Sequence, residues 1–151
     1  MTIGTAQGEV LPDFTLPDTH GTSVSSRSYY MRRIMIVGAM PSTVDTDWMH
    51  WLKQLSGDVE SIPEPDAVCL VLTASDCPDL PDLNPRVKVL FDDDFAARTK
   101  LNLQSDSGEG CLIVTNRHGL IYHVSTGRPH DAGMNPRDLP EWVEFIACRC
   151  S

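Results

Sequence analysis

Three nearly continuous apolar stretches stand out along the chain: RIMIVGAM at 33–40, AVCLVLTA at 67–74 and the shorter VKVLF at 87–91. A run without polar alternation suits a strand covered on both faces rather than one with a wetted side. Between the first two stretches the pattern changes period. Val44, Trp48, Trp51, Leu52 and Leu55 fall at i, i+4, i+7, i+8 and i+11, so they share one face of a helix predicted from about Thr43 to Ser56. Ser42 or Thr43 is placed to cap its start. Asp45 and Asp47 occupy the first turn, where the helix dipole favours negative charge, and Gly57 suits a C′ stop.

The flanking segments extend the pattern. In PDFTLPDTHGTSVSS, two short strands (FTL and TSV) flank an Asp-Thr-His-Gly turn in which Gly21 can supply positive φ. DCPDLPDLNP contains three prolines and reads as a loop with room for one helical turn. DDDFAARTKLNL predicts a short helix behind an aspartate cap, with Phe95, Ala96, Thr99 and Leu103 along it. CLIVTNRHGLIYHVS predicts a hairpin turning at Asn-Arg-His-Gly. NPRDLPEWVEFIACRC closes with a helix whose face carries Leu139, Trp142, Val143 and Ile146, with Asp138 as N-cap. Strand, helix and strand in close succession imply a right-handed parallel crossover, and the late hairpin adds antiparallel strands. The expected class is α/β, with a central mixed β-sheet flanked by helices and an N-terminal β-hairpin.

Composition narrows the function. The chain has 151 residues, which predicts one domain with a real core. Its formal charge of −9 repels phosphate backbones, so no nucleic-acid partner is expected. No apolar run approaches the roughly 18 residues of a spanning helix, so no membrane insertion is expected. The opening MTIGTAQGEVLPDF has neither a basic nor an apolar leader region, which predicts a cytoplasmic address. An odd cysteine count (five) in such a chain argues against a disulfide framework. Cys69 and Cys111 belong to apolar runs and read as buried small hydrophobes. Cys77 and the Cys148/Cys150 pair stay open as reactive thiols.

Four stretches, spanning roughly residues 10–147, carry a family resemblance. PDFTLPDTHGTSVS resembles the opening hairpin of the redoxins, usually Pro-Asp-Phe-x-Leu-x-Asp-x-x-Gly. IMIVGAMPSTVDTDWMHWLKQL resembles their active-site strand, turn and helix. VKVLFDDDFAARTKLNL resembles a segment usually written Asp-x-x-x-x-x-Ala-x-x-Tyr-Gly-Val. CLIVTNRHGLIYHVSTG resembles the next hairpin, usually Phe-x-Ile-Asp-x-x-Gly-x-Ile. In this order they resemble the thioredoxin-like fold in its peroxiredoxin-like form, the alkyl hydroperoxide reductase / thiol-specific antioxidant (AhpC/TSA) family. The resemblance implies a thiol-dependent antioxidant oxidoreductase without cofactor or metal. It also implies a protein thiol or disulfide partner, and a homodimer.

The site residues depart from that pattern. Anchored on Pro41, the peroxiredoxin motif Pro-x-x-x-Thr/Ser-x-x-Cys puts Asp45 at the hydroxyl position and Trp48 at the cysteine. Anchored on WLKQL, the Cys-x-x-Cys of thioredoxin-like reductases falls on Ser42 and Asp45. Neither register retains a thiol. The family arginine should lie near Glu109 and the thioredoxin cis-proline near Gly110, and both are replaced. A peroxidatic thiol must be ionised, which a helix N-terminus and a guanidinium favour, whereas Asp45 and Asp47 oppose it. Serine and aspartate do not cycle through a sulfenic acid.

The remnant turn is therefore Pro41, Ser42, Thr43 and Asp45, suited to a small polar ligand or a protein partner. Three candidates remain for thiol chemistry: Cys77, Cys148 and Cys150. Cys77 follows the second apolar strand, whose end should lie beside the turn. It reads either as a relocated nucleophile or as a loop cysteine flanked by Asp76 and Asp79. Cys148-Arg149-Cys150 reads as a labile disulfide, a dithiol reductant, half of a metal site or a frayed terminus; a zinc site would need two more ligands. His50, His118, His123 and His130 lack metal spacing, and Asp92–Asp94 read as a helix cap in preference to a cation site. Two functions follow: thiol–disulfide or antioxidant chemistry through a non-standard cysteine, or a non-catalytic thioredoxin-fold binding or assembly module.

Overall fold

The structure, a computed structural model, describes residues 7–29, 31–63, 67–77 and 80–149, the last by its backbone alone. A hairpin comes first, with β1 (Thr15–Pro17) antiparallel to β2 (Ser23–Ser25) around Gly21 at φ +80°. Then follow β3 (Ile34–Ala39), α1 (Thr46–Glu60), β4 (Ala67–Thr73), β5 (Val87–Phe91), α2 (Ala96–Lys100), β6 (Gly110–Thr115), β7 (Ile121–Gly127) and α3 (Leu139–Arg149). The five longer strands form one sheet in the order β5-β4-β3-β6-β7. β3, β4 and β5 run parallel, and β6 and β7 are antiparallel additions. The mixed sheet with helices on both faces and an N-terminal hairpin is the thioredoxin-like architecture expected from the sequence.

The apolar runs are central because both of their faces are covered. Ile34, Ile36, Cys69, Val71, Leu112 and Val114 pack beneath α1 and α3, with Trp48, Trp51, Leu55, Val143 and Ile146. Met35, Val37, Leu70, Leu72 and Ile113 face the other way, onto α2 and the N-terminal segment through Phe95, Leu101, Leu11 and Phe14. Alternate residues of one strand thus enter two separate cores, so no position could be polar without facing one of them. At Gly38 the Trp51 ring lies where a Cβ would stand, 2.9 Å from its Cη2, so the strand and α1 approach closely only because a glycine is there.

Several boundaries differ from the sequence-based expectation. Helix α1 starts at Thr46, not Thr43, and its N-cap is Asp45, whose Oδ1 accepts the Trp48 N–H at 3.0 Å. Neither Ser42 nor Thr43 caps it. A carboxylate gains more than a hydroxyl at the positive end of the dipole. The helix also runs through Gly57 to Glu60, because Val59 continues the buried face and Ile62 seals it. Arg86 donates from Nη1 to the carbonyls of Val59 and Ile62, at 3.0 and 2.6 Å, satisfying acceptors at the helix end. Asp138 does not cap the last helix. It lies within a 3₁₀ turn, Pro136–Asp138, that Asn135 caps by accepting the Arg137 N–H.

Helix α2 is capped from a distance. Phe95 stands at the cap position with φ +62°, and Asp92 reaches over it to accept from the N–H groups of Ala97 and Arg98. Asn102 takes φ +68° two residues beyond the helix, at the glycine of the Tyr-Gly-Val pattern.

Candidate functional site

The parallel register brings two strand ends together. Ala39 pairs with Leu72, and the Met40 N–H donates to the Leu72 carbonyl at 3.0 Å. The chain leaving β3 (Pro41 to Asp45) and the chain leaving β4 (Ala74 to Cys77) therefore emerge side by side. Pro41 is buried, while Ser42, Thr43 and Asp45 are exposed. The Ser42 hydroxyl donates to the Ser105 carbonyl at 2.7 Å, tying the turn to the segment before β6.

Trp48, which the Pro41 register sets at the cysteine position, is 2% exposed and packs edge-on against Trp51, with centroids 5.3 Å apart. Its ring covers Gly110, where a Cβ would come within 2.6 Å of Trp48 Cη2 and collide with the Ala39 carbonyl. Indole and glycine thus fit together at the end of β3.

Beside the turn lies a cleft of about 270 Å³. Its walls include Ser42, Thr43 and Val44 from one strand end and Thr73, Asp76 and Cys77 from the other. Cys77 is half-buried, and its N–H closes a turn onto the Ala74 carbonyl at 3.1 Å. The loop is held from outside by Asp93, which accepts from both the N–H and the hydroxyl of Ser75. These bonds hold the Asp93 carboxyl below the usual carboxylate range. Thr73 is fully buried, and its Oγ1 has no hydrogen-bond partner among the described residues. A buried hydroxyl left without a partner costs about 1–3 kcal/mol. Among the described residues lining the cleft, Asp76 is the only charged side chain.

The floor of the corner rests on a buried ion pair. Arg98 and Asp92 are each 1% exposed, with Nε to Oδ2 at 3.1 Å. The guanidinium also donates to the carbonyls of Met40, at 3.0 Å, and Pro41, at 3.4 Å, and to the Asp92 carbonyl at 2.5 Å. It lies 4.2 Å from the centroid of Phe95. Arg98 is thus a strut between α2 and the end of β3. The sequence reading did not single it out. The available signal was an arginine six residues after Asp92, in a helix too short to need a cation for its own sake.

The other candidates are scattered. Cys148 is exposed and shares a cavity of about 380 Å³ with Ser61, Pro63 and Val143, at the far end of α1. The fifteen residues of α1 put about 22 Å between that end and the Cys77 cleft. A disulfide needs Cα atoms within about 7 Å, so Cys77 and Cys148 do not pair in this arrangement. Cys150, Asp79 and the Arg149 side chain lie outside the described residues. Cys69 and Cys111 are fully buried, and burial pushes both thiols up to about 12. Asp45 lines a separate cavity of about 500 Å³ with Met49, His50 and Lys53. His130 pairs with Asp47 at 3.4 Å, His118 Nδ1 meets Met31 Sδ at 3.0 Å, and His123 stacks on Trp142. Among the described residues no group of three or more His, Cys, Asp and Glu side chains is arranged to hold a metal ion. No described helix is long and apolar enough to cross a membrane.

No family model matches this sequence, and no curated protein matches it. Solved structures do. The reduced 2-Cys peroxiredoxin of Plasmodium vivax superposes with a TM-score of 0.76 at 10% identity, covering 96% of this chain and 98% of that one. The thioredoxin domain of a thiol-disulfide oxidoreductase from Bacteroides vulgatus gives 0.65 at 13% identity, over 94% and 99%. ScoI of Bradyrhizobium japonicum, with copper bound, gives 0.61 at 13% identity, over 93% and 99%. At such identities the likeness concerns the fold alone, and the fold is thioredoxin-like.

Proposed function

We propose that this protein is a redoxin relative that exchanges thiols and disulfides through one relocated cysteine, Cys77, in the reducing interior of the cell. The observation that carries the reading is the shared cleft. Cys77 stands opposite Ser42 and Thr43, where thioredoxin-like folds hold their reactive turn, although it arrives from the neighbouring strand. In the reaction, the Cys77 thiolate attacks one sulfur of a small disulfide. A bond forms between Cys77 Sγ and that sulfur, the original S–S bond breaks, and the departing thiolate takes a proton from water. A second small thiol then attacks the mixed disulfide and releases Cys77. Over the cycle one disulfide and one thiol enter, and the mixed disulfide of the second thiol and one released thiol leave, so the number of S–S bonds is unchanged. Peroxide reduction fits less well, because among the described residues no cationic side chain lines the cleft and Asp76 does.

Ellman's reagent on the native protein tests this. In a Cys148→Ser/Cys150→Ser background one thiol should react quickly and vanish in Cys77→Ser. Cys69 and Cys111 should react only after denaturation. Catalysed exchange between a small thiol and hydroxyethyl disulfide should follow the same variant. If the double variant has no fast thiol, or Cys77→Ser keeps full exchange, the proposal is wrong and the fold serves as a non-catalytic binding module.

A further inference from the structure

The end of the molecule away from the cleft holds a contact that the Cys77 chemistry does not use. The chain entering β3 and the turn between β6 and β7 meet there, and the Met31 N–H donates to the Arg117 carbonyl at 2.6 Å. Met31 takes φ +67°, in the left-handed region that a bulky residue rarely occupies, and this bond fixes where its side chain leaves the backbone. The His118 N–H donates to Asn116 Oδ1 at 2.9 Å, and the same oxygen accepts the Leu120 N–H at 3.0 Å. The imidazole is thus placed by a side chain only 4% exposed. Between these two anchored backbones, His118 Nδ1 stands 3.0 Å from Met31 Sδ. A thioether has no proton to give, so a hydrogen bond here puts the proton on Nδ1 and aims it at one of the two sulfur lone pairs.

Exposure sets this sulfur apart. Met31 is 69% exposed, whereas Met35, Met40 and Met134 are fully buried and Met49 is half-buried. We propose that Met31 is a site of reversible oxidation by hydrogen peroxide, and that His118 screens one side of the sulfur, so that one of the two sulfoxide epimers predominates. The unscreened lone pair attacks one oxygen of the peroxide. An S–O bond forms and the O–O bond breaks. The departing hydroxide takes up the proton of the transferred oxygen and leaves as water. The sulfur loses two electrons and the peroxide gains them. The reductases that reverse this change act on one sulfoxide epimer each. The partner that fits this turn is therefore a methionine sulfoxide reductase of a single epimer specificity. The six residues of β3 put about 20 Å between the Met31 end of the strand and the Cys77 cleft, so neither reading rests on the other.

The test uses the full native chain and dilute hydrogen peroxide. Thiols are reduced and alkylated before digestion, and each methionine is followed by peptide mass spectrometry. Met31 should oxidise before Met35, Met40, Met49 and Met134. The oxidised digest is then treated to completion with an S-specific or an R-specific methionine sulfoxide reductase. The fractions of the Met31 peptide that the two enzymes repair should differ by at least about threefold, a bias within reach of one weak hydrogen bond. An achiral oxidant meets both lone pairs alike once the ring is gone, so the ratio should fall to near one in His118→Ala and in wild type oxidised in denaturing urea. His118→Gln keeps a donor and should retain part of the excess. Equal repair of the natively oxidised protein by the two enzymes overturns the screening by His118, and so does an excess that survives in His118→Ala. Earlier oxidation of any other described methionine overturns the site itself. The urea arm uses no variant, so a failure of His118→Ala to fold leaves the test intact.

Discussion

Replacing Arg98 with methionine removes the strut under the corner while keeping most of the side chain's volume. In the native protein the guanidinium makes the Asp92 pair and bonds to three backbone carbonyls, all at a site 1% exposed. The variant leaves Asp92 with two backbone donors, Ala97 N–H and Arg98 N–H, and no countercharge. Removing one partner of a buried pair costs about 3–5 kcal/mol, far more than the pair's net worth over an apolar substitute. Against a total stability of order 5–15 kcal/mol this is a large fraction. Urea titration followed by tryptophan fluorescence should show a lower midpoint with an unchanged slope. Arg98→Lys should recover only part, since an ammonium group cannot span Asp92 and the Met40 carbonyl as the planar fork does. Adding Asp92→Asn to Arg98→Met should return 1 kcal/mol or more, by the size of coupling usual between contacting residues, roughly 0.5–3 kcal/mol. A loss below about 1 kcal/mol for Arg98→Met, or strict additivity of the two changes, would refute the buried strut.

Two glycines should respond in opposite directions. Gly110→Ala drives a Cβ into the Ala39 carbonyl and the Trp48 ring, so a loss at the upper end of the overpacking range, about 3 kcal/mol, is expected. Gly57→Ala, in mid-helix with nothing within 4 Å of the new Cβ, should stabilise by about 0.5–1 kcal/mol; destabilisation would mean that α1 stops there. His123 stacks on Trp142 with centroids 4.1 Å apart, and burial lowers its pKa below the ordinary 6.5. The unfolded chain then binds the proton more readily, so stability should fall as pH drops through about 6.5 towards the folded value, and His123→Phe should flatten that part of the curve. Parallel pH profiles for the two proteins, by thermal melts, would remove His123 from the account.

The thioredoxin-like order of strands and helices, the two-sided burial of RIMIVGAM and AVCLVLTA, and the core role of Trp48 and Trp51 were all legible in the chain, because periodicity reports which face of an element must leave water. So were the identities of Ser42, Asp45 and Trp48 in the segment that leaves the first apolar strand, since residue identity needs no coordinates. Helix limits were less legible. Gly57 looks like a stop until Val59 is seen to be buried, and Asp45 displaces Ser42 as cap because the turn ties Ser42 to Ser105. Three things depended on the tertiary structure: the orphan hydroxyl of Thr73, the Arg98 strut and the roughly 22 Å between the Cys77 cleft and the Cys148 end of α1. Each depends on how separate strand ends meet, and pairing across a parallel sheet joins residues that local sequence patterns never compare.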